Sequence, residues 1–420
     1  MPTIRERAKE YIPTTSWFGG DRVLWVIIVA LSIISILVVY SSTAKMAYDD
    51  SAIRSTSQFL QQQIWMLIGG WILILVTHHI NSRLFLKITP LLFGLSLLLT
   101  FAVYFVGNST NGAARWISIL GFRFQPSEAL KISTMLFLSR QLALRQTIIE
   151  KLRLVPTYNL FTWSTPEQKK IWRTGFVPIL LPIFLSCGIV APAHTSSAVL
   201  LFGVSMVILL IGRVRFSELR KIVVLMLSIG AFFYVIGAGR ADTAGGRVST
   251  WVEIWTSDRT DIPADELSDT ERSMIAIYNG GVAGVGAGKS AMRVEMIHPE
   301  SDYAYAFFVE EYGSLLAVLL LILYLWIFFR AITIFEECGT AFPALMVLGL
   351  ALMMTCQALL HVAVTVNMIP ETGQTLPFIS RGGSSLLFNA IALGMIQSVA
   401  RQNTEHSHDA PKAQSIYERS

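Results

Sequence analysis

Arg22-Val23-Leu24-Trp25-Val26-Ile27-Ile28-Val29-Ala30-Leu31-Ser32-Ile33-Ile34-Ser35-Ile36-Leu37-Val38-Val39-Tyr40-Ser41-Ser42 contains no charged residue after Arg22. About 20 mostly apolar residues are what a helix needs to cross the hydrocarbon core of a bilayer. Basic residues precede the run (Arg5, Arg7, Lys9, Arg22), and no small-residue cleavage pattern follows it closely, so the segment reads as retained in the mature chain. Nine further segments follow, at about 60–80, 84–106, 126–144, 174–193, 196–212, 218–238, 303–330, 342–366 and 384–401. The expected fold is all-α: a polytopic membrane protein of ten transmembrane helices, with a large extracytoplasmic loop at 239–302 before the eighth.

Composition agrees. The 420 residues are 53% hydrophobic and 15% charged, against about 25% charged in an ordinary soluble domain. Mean hydropathy is +0.56. These values exclude a disordered chain, a disulfide-rich secreted fold and a typical cytosolic enzyme. The net charge of +5 reads as an excess of cytoplasmic Lys and Arg, with no nucleic-acid partner implied. Cys187, Cys338 and Cys356 lie in or beside apolar segments and show no metal-like spacing.

Loop charge sets the expected orientation. Residues 139–173 carry Arg140, Arg145, Lys151, Arg153, Lys169, Lys170 and Arg173 against Glu150 and Glu167, and residues 213–221 carry Arg213, Arg215, Arg220 and Lys221. Both loops are expected to be cytoplasmic. Ten spans then place both termini in the cytoplasm and turn 43–59, 107–125, 239–302 and 367–383 outward. The chain divides into a cytoplasmic segment at 1–21, a membrane domain at 22–402 and a polar, disordered cytoplasmic tail at 403–420.

Several motifs fall on the outward side. Gly284-Val285-Gly286-Ala287-Gly288-Lys289-Ser290 imitates a phosphate-binding loop, but Ala283 stands where the pattern needs glycine, and no strand precedes it. It reads as a flexible glycine-rich turn. In Phe124-Gln125-Pro126-Ser127-Glu128-Ala129-Leu130-Lys131, Pro126 suits a first helical turn and Glu128 its positive end. Glu128 and Lys131 share one face, either as a plain ion pair or facing a polar cavity. Asp302 ends the long loop, either as a helix cap or as a functional acid. Glu310 and Glu311 lie about two turns inside the next span, where carboxylates are costly. Arg240, Arg247, Arg272 and Arg293 suit pyrophosphate or the loop's own acids. In Thr375-Leu376-Pro377-Phe378-Ile379-Ser380-Arg381-Gly382-Gly383-Ser384-Ser385, the glycines and Ser384 suit an anion at a helix N-terminus, or a plain turn and cap. The seven histidines, among them His194, His298 and His361, show no zinc spacing.

Taken together, these motifs resemble the SEDS family of membrane proteins (shape, elongation, division and sporulation), typified by FtsW and RodA. The resemblance covers most of residues 20–402. It rests on Gly112-Ala113-Ala114-Arg115-Trp116 running to Lys131, on Arg247-Val248, on Asp302 running into Glu310-Glu311-Tyr312-Gly313, and on Leu376 to Ser385. Gln374-Thr375-Leu376-Pro377 is more similar to the division member. Some positions depart from the family. Pro192-Ala193-His194-Thr195-Ser196-Ser197 stands where Pro-Asp-x-Gly-Thr is frequent, Arg381 where Tyr is frequent, and His361 where Asn is frequent.

The resemblance implies a peptidoglycan glycosyltransferase that polymerises lipid II at the outer face of the bacterial cytoplasmic membrane, in septal wall synthesis. A class B penicillin-binding protein and other divisome proteins are the implied partners, alongside membrane lipids. Asp302 is the implied catalytic residue. Arg115, Gln125, Ser127, Glu128, Lys131, Arg247, Ser380, Gly382, Gly383 and Ser384 are candidates for binding the pyrophosphate and sugars, with Arg115, Lys131 and Arg247 as its cations. Trp116, Pro126, Glu310, Glu311 and Pro377 are structural or cavity residues. No cofactor is required by the reading, and a divalent cation (Mg or Mn) bridging pyrophosphate to a carboxylate is left open. The alternatives are a lipid II flippase, which a polar cavity would suit, and an elongation polymerase of the RodA kind. Against the flippase, there is no inverted repeat or pair of broken helices.

Overall fold

The computed structural model describes residues 18–42, 56–110, 113–119, 122–151, 170, 172–235, 241–257, 263, 266–296 and 301–417. Asn111, Gly112, Arg240 and His298-Pro299-Glu300, which the sequence singles out, lie outside them, as do Arg5, Arg7, Lys9 and much of the basic loop at 152–169.

Helices occupy every segment expected to span. They are α1 (Arg22–Ser42), α2 (Thr56–His79), α3 (Ser82–Val106), α4 (Pro126–Leu144), α5 (Val177–Val190), α6 (Thr195–Ile211), α7 (Phe216–Val235), α11 (Ala304–Glu336), α12 (Ala341–Thr365) and α13 (Gly383–Tyr417). A π-helical turn, Trp172–Phe176, leads into α5. Seven of these segments are long and apolar enough to cross a membrane: α1, α2, α3, α5 with its π turn, α11, α12 and α13. The helix α6 is apolar but shorter. The remaining two, α4 and α7, each carry three charged residues: Glu128, Lys131 and Arg140 on one, Glu218, Arg220 and Lys221 on the other.

The core runs along α12, whose side chains are buried on nearly every face because α4, α6, α11 and α13 all pack on it. Many buried hydroxyls of the helices are satisfied between helices or on the preceding turn. Ser96 and Ser133 pair at 2.6 Å across α3 and α4, and Thr134 and Ser186 at 2.8 Å across α4 and α5. This is how membrane helices use small polar side chains as contacts.

Three regions differ from expectation. The segment 107–125 is not an irregular loop: β1 (Asn108–Thr110), β2 (Ala113–Ile119) and β3 (Phe122–Phe124) form a three-stranded antiparallel meander. The 239–302 loop is built around α8 (Ala241–Thr256), α9 (Asp269–Gly280) and α10 (Met292–Glu295). Ser268 and Glu271 close a capping box at the start of α9, a signal present in the sequence. Third, α13 stays helical to Tyr417, where polar composition predicts a disordered tail. Extending an existing helix avoids the nucleation cost that an isolated polar segment faces.

One helix is broken on purpose. Gly313 takes φ 83° and ψ 163° inside α11. The N–H groups of Ser314 and Leu315 leave the helix ladder and donate to Gly281 and Val282 carbonyls at 2.9 and 3.4 Å. The freed carbonyls of Glu310 and Glu311 accept from Val285 and Gly286 at 2.9 and 3.0 Å. Backbone groups that a helix would satisfy internally are thus satisfied by the glycine loop.

Candidate active site

The site is assembled where the strands, α4, α11 and the 366–382 segment meet. Pro126 begins α4 at its first position, with Gln125 extended before it. One turn on, Lys131 Nζ lies 2.9 Å from Glu128 Oε1, and both side chains are buried. Lys131 also donates to Gln357 Oε1 on α12 at 2.9 Å, and the Gln357 amide donates to the Thr375 carbonyl at 2.9 Å. Ser385 Oγ reaches Glu128 Oε2 at 3.5 Å, and the Gln125 N–H donates to Ser384 Oγ at 3.2 Å. Two motifs separated by some 250 residues are therefore one polar cluster.

A small open cleft lies beside it, lined by Arg115, Gln125, Pro126, Ser127, Tyr104 and His194 among others. Arg115 projects from β2 and anchors its Nε on the Ala193 carbonyl at 2.8 Å. Trp116, half-buried, pairs with Asn108 across the strands. The structure thus gathers Arg115, Gln125, Pro126 and Ser127 on one surface. It does not place Glu128 or Lys131 there: their side chains are committed to each other and to Gln357.

Asp302 is partly exposed and accepts from Ser301 Oγ at 2.8 Å. It does not cap α11, because Tyr303 holds the cap position and no side chain bonds there. Gly373 takes φ +63°, and a Cβ placed on it would lie 4.0 Å from Asp302 Oδ2. Arg247, on α8, donates to the Glu371 carbonyl at 3.4 Å. Burial pushes the Glu371 carboxyl up, the Arg247 charge pulls it down, and Asp302 and Asp269 push it up again. Arg247, Glu371 and Asp302 therefore share one electrostatic neighbourhood.

The remaining candidates turn inward. Ser380 Oγ accepts from the Leu376 N–H and donates to the Ser301 carbonyl, both at 2.8 Å, which ties the segment to Asp302's neighbour. The Pro377 carbonyl accepts from Tyr324 Oη. Gly382 packs near Ser385 and Thr375, and Gly383 opens α13. Glu310 accepts from Ser290 Oγ and from the Ala291 and Met292 N–H groups at 3.1 and 3.4 Å. Glu311 accepts from Ser41 Oγ and the Gly288 N–H. The glycine loop is thus clamped, not flexible: the Val285 and Gly286 N–H groups donate to the backbone carbonyls of Glu310 and Glu311, and the Gly288 N–H to the Glu311 carboxylate.

His194 was not among the residues that sequence reasoning assigned a role. It lies between α5 and α6, buried, on the wall of the cleft. Its Nδ1 accepts from the Ser197 N–H at 3.2 Å, capping α6, and its Nε2 faces the Gly373 carbonyl at 3.3 Å. Burial, with help from the charges of Arg115, Lys131 and Arg247, lowers its pKa to about 3. The one signal for it was the departure from the family wording at 192–197.

Comparison with known proteins decides the family. The profile for the FtsW, RodA and SpoVE group, described as cell cycle protein, matches residues 21–405. The chain belongs to this family. It is 28% identical over 385 residues to a protein of Thiomicrospira cyclica named probable peptidoglycan glycosyltransferase FtsW, covering 90% of this chain and 91% of that one. It is 26% identical to stage V sporulation protein E of Bacillus subtilis, covering 92% and 99%. Among solved structures, a chain from a peptidoglycan synthase complex superposes with TM-score 0.65 at 21% identity, covering 91% of this chain and 98% of that one. RodA of Thermus thermophilus gives TM-score 0.59 at 19% identity, covering 93% and 99%. The match covers the membrane domain.

Proposed function

We propose that the chain is a peptidoglycan glycosyltransferase that polymerises lipid II at the outer face of the cytoplasmic membrane, in septal wall synthesis. The observation that carries it is the position of Asp302. It is a partly exposed carboxylate at the head of an apolar helix, bordered by Gly373 and, across that residue, by the Arg115 cleft. Naming of the full-length relatives as FtsW glycosyltransferases supports the same reading. The topology that goes with it has ten spans and both termini in the cytoplasm.

In this reading the acceptor's sugar 4-hydroxyl attacks the donor's anomeric carbon. A C–O bond forms there as the bond to the lipid pyrophosphate breaks, with inversion at that carbon. The hydroxyl proton passes to Asp302, a base contribution of about 10²–10⁴-fold. Arg115 and Arg247 face the charge that develops on the leaving pyrophosphate. Lys131 acts from within, holding Gln357 and through it Thr375. No group of three or more His, Cys, Asp or Glu side chains forms a cage among the described residues. A divalent cation would therefore be held by Asp302 and Glu371 with substrate oxygens completing its shell, the manner Mg²⁺ favours, and would supply charge neutralisation.

The partner in this reading is a class B penicillin-binding protein that crosslinks the new strand. The test is polymerisation of lipid II in detergent by the purified protein with and without that partner. Asp302→Asn is expected to abolish glycan formation, and undiminished polymer from that variant overturns the assignment. Detergent removes any need for flipping, so glycan formation also separates polymerase from flippase.

A further inference from the structure

Two buried imidazoles grip two successive carbonyls in the segment that borders Asp302. Each imidazole has one nitrogen opposite a backbone N–H, which can only donate. His194 Nδ1 accepts from the Ser197 N–H, so the ring proton is on Nε2, which donates to the Gly373 carbonyl at 3.3 Å. His361 Nε2 accepts from the Tyr305 N–H at 3.3 Å, so its proton is on Nδ1, which donates to the Gln374 carbonyl at 2.7 Å. The Gln374 side chain closes the arrangement by donating to Ser197 Oγ at 2.7 Å.

The elements joined are the ones that the chemistry needs in register. His194 stands on the wall of the Arg115 cleft. His361 belongs to α12, and Tyr305 lies three residues after Asp302 in the first turn of α11. Between them, Gly373 holds a left-handed φ of +63° beside Asp302 Oδ2. A glycine in that conformation has little intrinsic reason to stay there, and fixed carbonyl partners on both sides remove its freedom.

We propose that His194 and His361 form a neutral imidazole clamp on the Gly373 and Gln374 carbonyls, with His194 a positioning residue that sets Asp302 in register with the Arg115 cleft. The role in catalysis rests on the assignment of Asp302 above. The clamp itself stands on hydrogen bonds alone. Its pairing differs from a purely structural histidine in having two separable halves: the Nδ1 side caps α6, and the Nε2 side holds Gly373.

His194→Asn separates the halves. Asparagine is among the best N-cap residues, so the cap on α6 and the melting temperature are retained, while the shorter side chain loses Gly373. In the full-length protein with its partner, kcat for lipid II polymerisation is expected to fall about tenfold, the worth of one well-placed hydrogen bond, with KM changed less than about twofold. Hydrogen exchange across residues 371–376 is expected to rise at least about tenfold, and His194→Gln, which extends an amide toward Gly373, to restore part of kcat. Unchanged exchange in His194→Asn overturns the clamp, whatever the activity. Raised exchange with wild-type kcat overturns the positioning role. Full activity of Asp302→Asn, run alongside, overturns the assignment of Asp302 and leaves the exchange result to decide the clamp.

Discussion

Lys131 Nζ lies 2.9 Å from Glu128 Oε1 on the same face of α4, and both side chains are buried. A buried pair is weak evidence for stability, because desolvation offsets the attraction, but removing one partner strands a charge at about 3–5 kcal/mol. Lys131→Met is therefore expected to lower the melting temperature of the purified protein sharply. Glu128→Gln with Lys131→Met is expected to recover much of that loss. Polymerisation should not recover in the double variant, because Lys131 also holds Gln357, and Gln357 holds the Thr375 carbonyl. Melting and polymer yield measured on the same three preparations check both halves.

His194 makes stability depend on acid. Burial, reinforced by Arg115, Lys131 and Arg247, takes its pKa from 6.5 to about 3 in the folded chain. Between those values the unfolded chain binds a proton that the folded chain does not, so unfolding is favoured as pH falls. The contribution is fully present above pH 6.5 and drains away below it, at up to about 1.4 kcal/mol per pH unit. His194→Asn cannot titrate there. Its melting temperature at pH 7, 6, 5 and 4 is expected to fall less steeply than that of the wild type. Parallel curves for the two would show that the imidazole is not held neutral.

Much of this architecture is legible in the sequence because membrane spans announce themselves by length and apolarity. Every predicted span coincides with a helix, and seven of the ten are long and apolar enough by themselves to cross a membrane. Of the first motif, Arg115, Gln125 and Ser127 share a cleft, and its Gln125 and Glu128 meet Ser384 and Ser385 of the last. What composition does not reveal is tertiary. Nothing local distinguishes Glu310, which is spent on Ser290 and two amides, from Asp302, which is left partly exposed. Nor does the strand meander at 108–124 stand out, being short and interrupted by turn residues. His194 is invisible for the same reason: beyond its local cap on Ser197, its partners lie some 180 residues away, at Gly373 and Gln374.

The glycine loop offers a contrast within a few residues. Gly284 has φ +80°, and a Cβ there would fall 2.3 Å from the Glu311 carbonyl oxygen. Gly288 has φ +75° with nothing within 4 Å of its Cβ position. Gly288→Ala is expected to cost only the left-handed backbone penalty, about 1–2 kcal/mol. Gly284→Ala carries that penalty and a collision with backbone that cannot move without unmaking the break at Gly313. It is expected to yield little folded protein, judged by monodispersity in detergent. Equal recovery of the two variants would contradict the packing of this loop against α11.

Glu310 and Asp302 are both acids near the head of α11, and their variants should fail in different ways. Glu310 is completely buried and accepts from Ser290 Oγ and the Ala291 and Met292 N–H groups. Glu310→Gln turns an acceptor-only group into one that also presents donors to donors. The expected result is a loss of stability of about 1–3 kcal/mol, the cost of unsatisfied buried polar groups. The fraction that folds should polymerise lipid II with an ordinary KM, because Glu310 touches no part of the Arg115 cleft. Asp302→Asn keeps a side-chain oxygen for the bond from Ser301 Oγ, so it should melt like the wild type while activity falls by about 10²–10⁴-fold. Melting temperature plotted against residual activity for the two variants therefore separates a structural acid from a catalytic one. A Glu310→Gln protein that folds normally and is inactive would move Glu310 into the catalytic site.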